Sequence, residues 1–521
     1  MNEAGQMRAI ILCAGLGTRL TPITLTKPKP LLEIRGKSIL ENMIMHLHSA
    51  NITDIIVVCG YKSELFCPLQ KKLNFQKVVF PNFATKNSAG SLKFVRDKII
   101  KGTIILNGDL FINSDFTEHL HFGLSQFLGQ EISQGNFWGY ITDENSKLLD
   151  IDKNANSGFG DGIAFFDNES DLKAIKDSLD ICDDSAYWEE CVCGILDKID
   201  FYAFKTHKPF YTEIDSLQDA LGANLLSPKE IAMQCATDGN AERLKGITNI
   251  NYKINFNGDE KVLRIPGART NECIDRSAEK RILELIAPLN ITAHNDFYGS
   301  DIKMSDFLRG FRNAEFSDIN DSFLRAVVAK MKLLHSIKNG ANIPKITMIS
   351  EIQKYENLCK VELTTKQEHK FVMDIARELD RGEFVLCHRD LQLPNIMIKD
   401  LGAESIPCHI ERSEISLNTK RDSSPTAQND KFKYEIKFVD FEYSGFSSIL
   451  WELGNFSAEL RLDESQVQNL AQIYGNITPR DIYKGQMLSN YIWALWSWIY
   501  NRIDLGRDYL ARFDKNLKAL S

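Results

Sequence analysis

Cys387-His388-Arg389-Asp390-Leu391-Gln392-Leu393-Pro394-Asn395, read together with Val439-Asp440-Phe441-Glu442-Tyr443, carries most of the information in this chain. The first stretch follows a short apolar run at 383–387. The second follows another at 436–439, so both read as loops at strand ends. Moving a phosphoryl group onto an alcohol requires one carboxylate to orient and deprotonate the hydroxyl. It also requires an amide and a second carboxylate to hold Mg²⁺ on the nucleotide phosphates. Asp390, Asn395 and Asp440 supply those chemistries in that order. Solvated loop positions would explain any one of them; the ordered set points to a site. His388 reads as a support for the loop through hydrogen bonds, not as a proton carrier.

Working outward, 521 residues exceed one ordinary domain, so two or three are expected. A hydrophobic share of 43% and a charged share of 25% are those of a soluble globular protein. A net charge of −8 leaves no basic footprint for nucleic acid. The eleven cysteines are odd in number and contain no Cys-x-x-Cys pair. Cys191 and Cys193 stand too close for ordinary zinc spacing. Reduced thiols and a cytoplasmic location are therefore expected. Residues 1–8 lack a signal-peptide core, and no apolar run reaches the roughly 18 residues of a membrane span, so no membrane insertion is expected.

The first part of the chain alternates apolar runs with helical stretches. Residues 9–13, 55–59, 78–80 and 103–106 read as buried parallel strands, with a helix at 39–49. The rhythm stops near Leu226-Ser227-Pro228, which sets a boundary at 227–240 and domains at 1–230 and 240–521. The second part opens with a hairpin, 251–256 and 261–265, around Asn257-Gly258-Asp259. Helices follow at 273–286, 322–336 and 367–381, and the chain after Asp440 reads as helical. Residues 408–434 are polar and charge-mixed. They cannot bury enough apolar surface to offset ordering, and read as a disordered insertion.

At the start, residues 9–13 run into Ala14-Gly15-Leu16-Gly17-Thr18-Arg19-Leu20, then Lys27-Pro28-Lys29-Pro30. Two glycines, Gly15 and Gly17, let backbone N–H groups approach phosphate. Arg19 and Lys29 would neutralise a triphosphate and a leaving pyrophosphate. A tight strand–helix turn would explain the glycines alone. The pattern is neither a dinucleotide fingerprint nor a P-loop.

This string resembles the signature of the sugar-phosphate nucleotidylyltransferases. The first 230 or so residues resemble bacterial CTP:phosphocholine cytidylyltransferases in particular. The resemblance implies an α/β Rossmann-like nucleotidyltransferase domain. It places Asp109 of Asn107-Gly108-Asp109, with Glu213 and Asp215, at a Mg²⁺ site. Asn87 and Ser91 would lie near the cytidine of CTP. A quaternary ammonium cannot donate a hydrogen bond, so aromatic faces helped by a carboxylate are its expected recognition device. Trp138, Tyr187 and Trp188, with Glu189, are the candidates; each ring would serve equally as core.

From about residue 240 onward the chain resembles bacterial choline/ethanolamine kinases, which implies a two-lobed α+β protein-kinase-like domain. Thr248 and Asn249 match the family's nucleotide loop. Arg264 matches the basic residue on the ATP phosphates, paired with Glu279 on the following helix. Asp390 would accept the proton of the choline hydroxyl, near Gln392 and Glu442, with Asn395 and Asp440 on Mg²⁺. Trp493 and Trp496, three apart on one helix face, match the tryptophans that enclose the trimethylammonium. Trp451 is added to them, with Glu452 as the carboxylate near the cation.

Together the two resemblances imply one enzyme that makes CDP-choline from choline, ATP and CTP through phosphocholine. Two alternatives stay open: the same chemistry on ethanolamine, another amino alcohol or a phosphonate, or one half acting as a non-catalytic nucleotide-binding module.

Overall fold

The computed structural model describes residues 7–133, 137–246, 249–267, 274–299, 302–338, 343–401 and 433–521. Thr248 and residues 408–432 of the expected insertion lie outside them. Tyr434, assigned above to that insertion, instead opens the strand Tyr434–Phe438, with its ring in the core.

The chain divides into residues 1–244 with 252–259, and residues 245–251 with 260–521. The dividing line passes through the first hairpin of the second half. The boundary expected at 227–240 falls too early. The helix Pro228–Cys235 is tied to the first unit, where Gln234 exchanges two 2.8 Å hydrogen bonds with the backbone of Glu33. A one-residue contact of this kind leaves no periodic trace in sequence.

The first unit is built on a nine-stranded sheet. Arg8–Cys13 lies parallel between Asp54–Cys59 and Thr103–Asn107, with Gln76–Val79 parallel beyond Asp54–Cys59. These are the β-branched and apolar runs, and the first two are buried over their last five residues, as a sheet covered on both faces requires. The rest of the sheet was not foreseen. Gly158–Phe166 runs antiparallel to Thr103–Asn107, Ser125–Ile132 and Phe137–Thr142, and Leu148–Ala155 is antiparallel to Phe137–Thr142. The helix Ile39–Ser49 begins where Ser38 accepts a hydrogen bond from the Glu41 backbone N–H, the expected N-cap arrangement.

A five-stranded sheet has the order Ala241–Leu244, Ile250–Phe256, Asp259–Ile265, Ile302–Asp306, Asn295–Tyr298. The helix Arg276–Ile286 lies in the chain between Asp259–Ile265 and Asn295–Tyr298. A mostly helical body then carries short antiparallel pairings, and Arg312–Asn313 adds a third strand alongside Ile396–Asp400. Phe384–Cys387 pairs with Gly445–Ser448, and Ile396–Asp400 with Tyr434–Phe438. The loops of interest leave these strands. Arg389 and Asp440 hold φ angles of 68° and 65°. This left-handed region costs a non-glycine residue of order 1 kcal/mol or more and persists only where the surroundings impose it. Among the described residues no helix is long and apolar enough to cross a membrane.

The cysteine expectation needs correction. Cys182 and Cys191 form a disulfide, with Cα atoms 5.7 Å apart. Nine residues of separation give no recognisable motif. The helices Glu169–Ile181 and Trp188–Cys193 bring the pair together.

Candidate active sites

A cavity of about 490 Å³ opens at the carboxyl end of Arg8–Cys13. Gly15, Gly17, Arg19 and Lys29 line one part of it, Asn87 and Ser91 another, and Trp138, Tyr187 and Glu189 a third. Gly17 has φ 63°, and a Cβ there would fall 2.9 Å from Lys29 Cβ; only glycine fits that turn. A Cβ on Gly15 would meet nothing within 4 Å, so the cradle is open there. Asn87 caps the helix Ser88–Phe94 and accepts from the Ser88 N–H at 2.8 Å. The Ser91 hydroxyl is committed to the Ser88 carbonyl.

Asp109, Glu213 and Asp215 present oxygens within 4.8 Å of one another. Asp109 Oδ1 is buried and has no hydrogen-bond partner among the described residues. A clustered carboxylate set with an orphaned oxygen suits a hard divalent cation. Lys29 Nζ stands 2.9 Å from both Asp109 Oδ2 and Asp215 Oδ1, and Arg19 Nη2 stands 2.9 Å from Asp215 Oδ1. Burial alone would lower the Lys29 pKa, but the two carboxylates outweigh it and hold the ammonium charged.

The aromatic wall is smaller than expected. Trp138 and Tyr187 meet edge to face at 5.2 Å, and Lys153 Nζ lies 5.4 Å from the Trp138 ring centre. Glu189 Oε1 accepts from the Asn107 amide at 3.2 Å. Trp188 does not line the cavity. It is 2% exposed, packs among Phe127 and Phe166, and donates its indole N–H to Asn107 Oδ1 at 3.2 Å. A six-residue helix can point only one of its two neighbouring rings outward.

In the second half, Asp390 is buried, with Gln392 Nε2 at 3.3 and 3.2 Å from its two oxygens and Asn395 Nδ2 at 2.9 Å from Oδ2. The Asn395 amide nitrogen also donates to the Asp390 carbonyl at 2.8 Å, which leaves its carbonyl oxygen as the group able to meet a metal. Burial, then Glu459 and Asp440, push the Asp390 carboxyl well above its usual range. Burial and Glu442 do the same to Asp440 against the pull of Lys303 and Arg264. Two desolvated carboxyls that both resist ionising are what a bound divalent cation would relieve. His388 Nε2 donates to the Val439 carbonyl oxygen over 2.9 Å, and burial lowers its pKa to about 4. It is a neutral strut.

Three expected substrate contacts turn out to be internal. Glu452 accepts the backbone N–H groups of His388 and Arg389 at 2.9 and 2.8 Å. Trp451 is 1% exposed, and its ring face is taken by the Arg389 guanidinium at 5.4 Å. Glu442 accepts from Asn249 Nδ2 at 2.6 Å and Arg276 Nη1 at 2.9 Å, so the Asn249 side chain is also committed. In each case the side chain is already partnered from within, and a buried polar group left unpaired would be costly.

Trp493 and Trp496 do come together, with ring centres 6.0 Å apart, and Tyr443 joins them at 5.4 Å from Trp493. The Trp496 indole donates to the Tyr443 hydroxyl at 3.1 Å, and the Trp493 indole to Asn455 Oδ1 at 2.7 Å. Tyr443 and Glu459 were missed from sequence. Burial raises the Tyr443 phenol and Asp390 adds to it, and after burial Glu459 is the leading cause that raises Asp390. Glu459 lies seven residues after Glu452, two helical turns along the same face; that spacing was the available signal. Arg264 meets Glu279 at 2.6 Å.

Residues 8–128 match the nucleotidyl transferase family, and residues 242–495 match the choline/ethanolamine kinase family. The choline-phosphate cytidylyltransferase of Streptococcus pneumoniae is 30% identical over 227 residues, which is 41% of this chain and 95% of that protein. The 2-aminoethylphosphonate cytidylyltransferase of Lancefieldella rimae is 26% identical over 228 residues, 42% of this chain and 92% of that protein. The crystal structure of the choline kinase LicA from Streptococcus pneumoniae aligns with 54% of this chain and 92% of its own, at 18% identity and a TM-score of 0.42. The chain thus belongs to the choline-phosphate cytidylyltransferase family through its first half and carries a choline/ethanolamine kinase family domain in its second, two transferases in one polypeptide.

Proposed function

We propose that this protein makes CDP-choline in two steps: choline and ATP give phosphocholine and ADP, then phosphocholine and CTP give CDP-choline and pyrophosphate. The observation that carries the reading is the presence, in one chain, of a buried Asp390 held by Gln392 and Asn395, a Tyr443–Trp493–Trp496 ring cluster, and an Asp109–Glu213–Asp215 set that shares a cavity with Trp138 and Tyr187.

In the kinase half, Gln392 and Asn395 hold Asp390 so that it orients the choline hydroxyl and takes its proton. The hydroxyl oxygen bonds to the γ-phosphorus of ATP as the bond to the β-phosphate oxygen breaks. Mg²⁺, held by Asn395 and Asp440, would supply charge neutralisation on the phosphates. The three rings receive the trimethylammonium.

In the first half, a phosphate oxygen of phosphocholine attacks the α-phosphorus of CTP in line, and pyrophosphate leaves. The attacking oxygen is already ionised, so no general base is needed. Lys29 and Arg19 stabilise the charge gathering on the leaving group. Mg²⁺ on Asp109, Glu213 and Asp215 would neutralise the reacting phosphates. Trp138, Tyr187 and Glu189 receive the cation.

Product analysis tests this directly. The protein, choline, ATP, CTP and Mg²⁺ should yield CDP-choline, and parallel reactions should replace choline with ethanolamine or supply 2-aminoethylphosphonate with CTP. Faster turnover of either replacement would transfer the assignment to that headgroup.

A further inference from the structure

The strands Asp259–Ile265 and Ile302–Asp306 set Arg264 directly opposite Lys303. Both are buried, at 3% and 6% exposure. Like charges facing across a sheet repel, and burial removes the water that would screen them. Glu279, from the helix Arg276–Ile286, holds them together. Its Oε1 accepts from Arg264 Nη1 at 2.6 Å and from Lys303 Nζ at 2.8 Å. Its Oε2 faces Arg276 Nη1 at 3.2 Å, and the same Arg276 nitrogen reaches Glu442 at 2.9 Å.

A guanidinium facing an uncommitted carboxylate takes both oxygens in a fork. Arg264 does not. It makes one bond to Glu279, and its Nε and Nη2 are buried without a partner among the described residues. Those free N–H groups lie on the side chain whose Nη1 is 4.0 Å from Asp440 Oδ1. With Lys303 on one oxygen and Arg276 on the other, Glu279 cannot turn to present both oxygens to Arg264.

We infer that Lys303 is a positioning residue: by occupying Glu279 Oε1 it prevents a forked Arg264–Glu279 pair and keeps two Arg264 N–H groups free for the nucleotide phosphates. The inference rests on reading the second domain as an ATP-dependent kinase. Removing Lys303 should let Glu279 capture Arg264 and weaken nucleotide binding, with the reaction of bound nucleotide little changed.

The experiment is a double-mutant cycle on the full-length protein, with MgATP affinity read by calorimetry without acceptor and KM and kcat read with choline. Lys303→Met should raise the Kd and KM for ATP about tenfold or more and leave kcat within about threefold. In an Arg264→Lys background the same change should cost less than about threefold, because an ammonium cannot be captured in a fork. Lys303→Arg, which keeps a donor for Oε1, should stay within about threefold of the parent and guards against a Met variant that fails to fold. Equal losses in both backgrounds would mean that Lys303 acts only through its field, and would overturn the inference. So would a Lys303→Arg protein as impaired as Lys303→Met, or a loss confined to kcat. A parent protein that binds no MgATP would overturn the kinase reading as well.

Discussion

Glu452 and Glu459 stand two turns apart on the helix Ile449–Glu459 and have different partners. Glu452 is fully buried and anchors two backbone N–H groups of the Asp390 loop. Glutamine offers one carbonyl oxygen for two donors, so Glu452→Gln strands a buried N–H at a cost of roughly 1–3 kcal/mol. Kinase kcat should fall by about tenfold to a hundredfold, with cytidylyl transfer from supplied phosphocholine untouched. Glu459 instead spends one bond on the Tyr509 hydroxyl at 3.0 Å and faces Asp390 electrostatically. Because Glu459 raises the Asp390 carboxyl, Glu459→Gln should move the acid limb of the kinase kcat–pH profile to lower pH and leave the KM for ATP in place; steady-state kinetics across pH would show it. At this scale the strand-end positions of Asp390, Asn395 and Asp440 were legible because short apolar runs precede both loops. Trp188, Trp451 and Glu442 were misread because residue type says what a side chain can bind, not which neighbour reaches it first.

Between residue and molecule lies the crossing of the helices Ile449–Glu459 and Pro479–Ile499. They touch backbone to backbone at Gly454 and Gly485: a Cβ on Gly454 would fall 2.2 Å from the Gly485 carbonyl carbon, and one on Gly485 2.0 Å from the Leu450 carbonyl oxygen. That approach sets the distance between the helix carrying Glu452 and Glu459 and the one carrying Trp493 and Trp496. Gly485→Ala must push the two apart, a strain of about 1–3 kcal/mol. It should lower the melting temperature of the kinase unit by roughly 2–4 °C per kcal/mol and raise the choline KM in the same preparation. Calorimetry plus kinetics would show a discrepancy if melting falls and the choline KM does not. The turn at Asn257 and Gly258, with φ of 54° and 94°, was readable, since few residues tolerate that backbone. The antiparallel strands within 125–166 were not. Their broken alternation and a register shift between Gly160 and Ile163 erase the period that marks a strand.

Across the whole molecule the two carboxylate sets should act separately. Asp390→Ala should abolish phosphorylation of choline and spare cytidylyl transfer; Asp109→Ala should do the reverse. Loss of both activities in either variant would contradict separate sites. Stability should also depend on pH through His335, whose ring meets the Tyr474 hydroxyl at 2.8 Å and whose pKa burial lowers to about 3. Because the folded pKa lies below the unfolded value, the unfolded chain binds more protons between about pH 6.5 and 3, and stability falls as pH drops through that window. Between pH 7 and 5 this group should cost roughly 2 kcal/mol. Urea unfolding of His335→Phe should show a shallower pH slope than the parent by about that amount.

From the sequence alone came the two halves, the strand-end positions of their carboxylates and the identity of the Trp493–Trp496 pair. These depend on covalent order and short-range periodicity, which are present in the chain before it folds. Tertiary structure decided that Glu452 braces a loop, that Lys303 shares Glu279 with Arg264, and that Cys182 meets Cys191. Those outcomes depend on which groups distant in sequence arrive at one desolvated point, where each buried charge must find its nearest compensation.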